Sequence, residues 1–115
     1  MNKYLGHCHC NAVQFEFESE LNLPMQCDCS YCIRRNTVFQ LEPIAHFKLL
    51  KGVDDMTRYG SKAISDHFFC KTCGISTFTY LKENGKIVGA AANLACLDGV
   101  DITQMKPLMV DGRNI

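Results

Sequence analysis

Net charge is missing from this chain, in which twelve Lys plus Arg balance twelve Asp plus Glu. With no long-range field to draw in phosphate backbones or anionic lipid, nucleic acid and membrane surfaces are poor partners. A long apolar run is missing too. The longest, IVGAAANLACL from Ile87 to Leu97, is broken by Asn93 and falls well short of the ~20 residues of a spanning helix. The opening MNKYLGHCHC lacks the continuous apolar segment of a signal peptide, so a cytoplasmic protein is expected. No stretch keeps a helical period over three turns, which argues against a helical fold. Repeats, linkers and low-complexity segments are absent as well, and residues 1–115 read as a single domain.

What is present points to short strands. Hydrophobic residues at 47% and charged residues at 21% are ordinary for a folded globular chain. AVQFEFE, Ala12 to Glu18, alternates Val13, Phe15 and Phe17 with polar residues, the period of a half-buried strand. Further strands are expected at Thr37 to Leu41, with Pro43 marking an edge or a break, at Phe47 to Leu50, at Met56 to Tyr59 and at His67 to Phe69. Ser76 to Leu81 and Lys86 to Asn93 flank Asn84-Gly85, a pair suited to a tight turn with positive φ. Ser30 begins a turn or a short helix running to about Arg35. The fold class is therefore mainly β.

Cysteine is the residue in excess: eight in 115 residues. In the reducing cytosol, clustered cysteines bind metal or do redox work more often than they form disulfides. Seven lie in three groups: Cys8 and Cys10 in GHCHCN; Cys27, Cys29 and Cys32 in CDCSYC; Cys70 and Cys73 in FCKTCG. A CxxC followed by glycine has the shape of a zinc knuckle, because backbone amides turn toward the thiolates and Gly74 can adopt the positive φ required. Asn11 holds the equivalent place after Cys10, and Asn tolerates that conformation next best. The pairs Cys8/Cys10 and Cys70/Cys73 can complete one tetrahedral Zn²⁺ site. A redox role for Cys70 and Cys73 would lack its βαβ context and leave the CxC unexplained. Other pairings remain open, but each leaves one four-ligand site and a remainder of three.

For CDCSYC, the fourth ligand could be Cys96, one of His7, His9, His46 and His67, or a group from solution. Cys96, in the apolar NLACLDG, reads as a buried inert thiol. His7 and His9 interleave with the first pair and belong beside it. Arg34 and Arg35 follow the cluster and could hold a carboxylate, although pairing with Asp28 or facing solvent is the plainer reading. Asp98 reads as a turn residue.

GHCHCNAVQFEFE, CDCSYCIRRN, FFCKTCGISTF, NLACLDG and the closing VDGRN together resemble the family of glutathione-dependent formaldehyde-activating enzymes and centromere protein V. The resemblance implies a β-tent stapled by zinc, with Cys8, Cys10, Cys70 and Cys73 as structural zinc ligands. It also implies a second zinc on Cys27, Cys29 and Cys32, which become the catalytic set. Its small-molecule partner would be a thiol such as glutathione, condensed with formaldehyde to S-hydroxymethylglutathione in carbon-sulfur lyase chemistry run in reverse. A coordinating thiol is ionised outright, which supplies the nucleophile at neutral pH. The competing expectation is a non-catalytic module with two structural zincs that recognises a protein partner.

Overall fold

The computed structural model of the protein describes residues 1–60 and 63–113. The chain is mainly β, as the alternating pattern predicts, and its strands form two sheets. The smaller, in the order β1-β2-β5, joins β1 (Asn2–His7), β2 (Gln14–Ser19) and β5 (Phe47–Lys51). The larger contains β3 (Met25–Cys27), β4 (Phe39–Pro43), β6 (Met56–Tyr59), β7 (Ser65–Cys70), β8 (Ser76–Glu83), β9 (Lys86–Asn93) and β10 (Leu108–Val110). Its order is β10-β3-β4-β9-β8-β7-β6. Neighbours pair antiparallel except β10, which runs parallel to β3. One helical turn, α1 (Cys32–Arg35), follows β3 and ends where Asn36 turns left-handed at φ 54°.

The core lies between the sheets. Phe15 and Phe17 on β2 are fully buried, as their alternation predicts, and Phe15 stacks on Phe47 with ring centroids 5.3 Å apart. Phe47 reaches Phe78 of the large sheet at 4.6 Å, and Phe68 reaches it at 5.1 Å. Burying each such ring contributes about 1.5–3 kcal/mol, and these rings hold sheet to sheet. β1 escapes a reading by alternation because its residues invert the usual pattern. Leu5 faces solvent, while Gly6 takes the buried place, where any Cβ would strike the Phe15 ring.

The hairpin of β8 and β9 turns on Asn84 and Gly85, both left-handed at φ 51° and 79°, as the Asn-Gly pair predicts. β4 begins at Phe39 and extends through Pro43, two residues later than its sequence suggests. β3 pairs with it only at Phe39, so Pro43 faces β9 alone and removes no hydrogen bond to β3.

Register decides which residues face which side. Gln40, Ala92, Phe78 and Phe68 lie side by side on β4, β9, β8 and β7. The next row, Leu41, Ala91, Thr79 and His67, must then face the opposite side. The first row meets the core, and the second floors an open cleft.

Candidate metal centres and the adjoining cleft

The turn between β1 and β2 and the turn between β7 and β8 bring four cysteines together. The sulfurs of Cys8, Cys10, Cys70 and Cys73 all lie within 4.8 Å of one another. Cys10 Sγ is 3.7 Å from Cys8 Sγ and 3.6 Å from Cys70 Sγ, close to the roughly 3.8 Å that tetrahedral Zn–S bonds impose. Both turns are knuckles. Gly74 N–H donates to Cys70 O at 2.9 Å and Asn11 N–H to Cys8 O at 3.2 Å, with φ of 77° and 67°. Amides of Val13 and Thr72 point at Cys8 and Cys70 sulfur, each at 3.4 Å. Burial opposes ionisation of Cys73, but the N–H groups of Ile75 and Cys10 outweigh it and bring the thiol down to about 6.

The second group forms where β3 runs into α1. Cys27 closes the strand, Cys32 opens the helix, and Cys29 lies between, with all three sulfurs within the same 4.8 Å span. Cys29 N–H points at Cys27 Sγ at 3.5 Å and Cys32 N–H at Cys29 Sγ at 3.3 Å. Burial, then the hydrogen bond with Cys29 and the nearby thiolates, push Cys32 up to about 12. Three crowded thiols resist joint ionisation, and a divalent cation reverses that logic, so the donor set fits a metal. Among the described residues no fourth Cys, His, Asp or Glu completes this group.

The C-terminal segment straps the trio. Val110 of β10 lies opposite Cys27, Asp28 N–H donates to Val110 O at 3.2 Å, and Arg113 Nη2 donates to Asp28 Oδ2 at 3.0 Å. Gly112 packs so tightly that a Cβ there would overlap Cys27 Sγ.

One side of the trio opens on a cleft of about 520 Å³ over the outer row of the large sheet. Arg35 bridges the two. Its Nη2 donates to Cys32 Sγ at 3.4 Å, its Nη1 lies 3.2 Å from Thr79 Oγ1 and 3.4 Å from His67 Nδ1, and its guanidinium lies 5.2 Å from the centre of the Tyr31 ring. Its Nε is buried without a partner. Burial first, and the Arg35 charge second, push His67 down to about 4, so the ring is neutral at pH 7. Arginine can only donate, which makes Nδ1 the acceptor and leaves the ring proton on Nε2.

A family model described as glutathione-dependent formaldehyde-activating enzyme matches residues 3–110. The chain belongs to that family. A crystal structure of a Rhodobacter sphaeroides protein is similar to it, with 30% identity and a TM-score of 0.80 over 94% of this chain and 98% of that one.

This formaldehyde-activating family member assembles seven cysteines as four plus three, the division expected from their spacing. Cys96 stays apart, buried and bonded to Ser76 O at 3.6 Å. His7 braces the first group, its Nδ1 2.8 Å from Cys8 O and its Nε2 2.9 Å from Asp98 Oδ1, while His46 faces Glu42. Arg34 faces solvent, as its plain reading has it, and folds back to Ser30 O; Arg35 departs from that reading and turns inward, and Asp28 is taken by Arg113. Sequence spacing does not single out His67, Tyr31 or Gly112, because their roles depend on long-range pairing. For Gly112 the only signal is its place in VDGRN.

Proposed function

We propose that the protein is a zinc-dependent carbon-sulfur lyase that binds a small thiol at Cys27, Cys29 and Cys32 and forms or cleaves its S-hydroxymethyl adduct. The observation that carries this reading is a three-thiol metal group with no fourth protein ligand among the described residues, opening on a cleft. Glutathione and formaldehyde are the substrates in the family's description. Cys8, Cys10, Cys70 and Cys73 hold a structural zinc, which ties the two sheets together.

Cys27, Cys29 and Cys32 would hold zinc, which would supply a position where an added thiol gives up its proton to solvent. The ionised thiol would add to the aldehyde carbon through a new C–S bond, the carbonyl π pair moving onto oxygen, which would take a proton from solvent in place of the one the thiol released. The chain's own contribution is placement and charge. Arg35 sets a permanent positive charge beside the trio, where the oxygen becomes negative. His67, neutral and held by Thr79 at 2.8 Å, positions Arg35 and carries no proton between reactants. The reading is tested by cobalt substitution. Thiols should perturb the cobalt spectrum and formaldehyde should then be consumed; a spectrum unmoved by any thiol sinks it and favours two structural metals.

A further inference from the structure

We propose that the thiol taken by this site carries an apolar body, an alkyl or aryl group, rather than the charged flanks of a tripeptide. The inference rests on the thiol-binding reading above and narrows it. Met25, Phe39, Leu41, Leu81 and Val110 line the cleft from the large sheet, and Ile64 lines it from just before β7. Leu41 is 39% exposed and Ile64 64%, so the rim presents large apolar surface to water.

Charge is scarce along this wall. Among the described lining residues Arg35 is the only permanently charged side chain, and both its Nη atoms are already bonded beside the metal group. A tripeptide thiol brings two carboxylates and an ammonium. The described lining residues include no carboxylate for the ammonium, and Arg35 leaves little for the anions, its Nη atoms being bonded and its Nε buried. Ions moved from water to an apolar wall without partners bind poorly. Methylene groups gain there, by about fourfold in affinity for each one buried.

The apolar surface also continues. A neighbouring depression of about 480 Å³ shares Leu41, Ile64 and Leu81 with the cleft and adds Pro43 and Val88. Of its charged members, Glu42 is engaged by Ser19 and Gln40 and Lys82 by Asp66, while Glu83 is exposed at the end of β8. A thiol whose sulfur sits at Cys27, Cys29 and Cys32 therefore has an apolar path for its chain.

Cobalt-substituted protein titrated with ethanethiol, butanethiol, hexanethiol and glutathione tests this, with each affinity corrected for the thiol's own ionisation. Affinity should rise along the alkyl series by about fourfold per methylene at first, and butanethiol should bind at least tenfold more tightly than glutathione. Leu41→Asp should cut the ratio of hexanethiol to ethanethiol affinity at least tenfold. A flat series, an unchanged ratio, or glutathione binding more tightly than butanethiol overturns the inference and leaves the thiol-binding reading intact. Silence towards every thiol overturns both.

Discussion

Arg35 Nη2 donates to Cys32 Sγ at 3.4 Å, from a guanidinium whose other terminal nitrogen reaches Thr79 of β8. One planar fork thus couples the metal group to the cleft floor. Lysine has one nitrogen and cannot span both partners. Arg35→Lys should leave metal content unchanged and lower kcat/KM by about 10²-fold, the scale of losing one preorganised electrostatic donor. Metal analysis beside steady-state kinetics checks it. Activity within threefold of wild type would remove Arg35 from the mechanism.

His67 makes acid stability asymmetric. Its ordinary value of 6.5 falls to about 4 in the fold, chiefly through burial. Between those values the unfolded chain binds a proton that the native ring refuses, so stability rises with pH. The contribution is complete above 6.5 and is lost as the pH drops towards 4. His67→Gln should therefore lose less stability than wild type between pH 6.5 and 5, read by denaturant melts. In Arg35→Met the ring should titrate above 4 but below 6.5, because burial remains; NMR of the imidazole reports it.

Much of this was legible because cysteine spacing and strand alternation are local signals. GHCHCN and FCKTCG each contain the turn residue that their knuckle needs, and QFEFE declares its buried face. β1 was hidden because a glycine occupies its buried position under Phe15. β3 and β10 are only three residues each, too short to carry a period. The site's second half was hidden for another reason: Arg35, His67 and Gly112 come together only through register, Thr79 opposite His67 and Val110 opposite Cys27.

The two knuckle turns have different tolerance. Gly74 sits at φ 77° with nothing within 4 Å of where its Cβ would be. Gly74→Ala should then cost only the torsional penalty of about 1–2 kcal/mol. Asn11, at φ 67°, should accept glycine with almost no loss, whereas Asn11→Val should cost more than Gly74→Ala, since branching at Cβ resists left-handed backbone. Thermal melts of the metal-loaded proteins rank the three.

The two cysteine groups should fail differently. Cys70 is fully buried and its group joins the β1–β2 turn to the β7–β8 turn, whereas the trio lies at the edge of the large sheet. Zinc held by such a closed site contributes folding free energy on the order of 10 kcal/mol in small domains. Cys70→Ser should abolish a cooperative melt, and strong chelators should do the same to wild type. Cys29→Ser should keep the melt and lose one metal equivalent. If both variants unfold alike, the trio is structural too.

Gly112 offers a change that spares every ligand. A methyl group there would overlap Cys27 Sγ and come within 3.1 Å of Cys29 Cβ and 3.2 Å of Cys29 N, while the strap is fixed by Asp28 and Arg113 and cannot retreat without breaking their pair. The trio must then open. Gly112→Ala should lose metal selectively at Cys27, Cys29 and Cys32, with the four-cysteine group still loaded and the melt lowered by no more than a few degrees. Deleting the opposing constraint should relieve the clash: Gly112→Ala combined with Asp28→Ala should recover part of the lost metal. Metal content per chain, measured for both variants, decides between a strap that sets the trio's geometry and one that merely covers it.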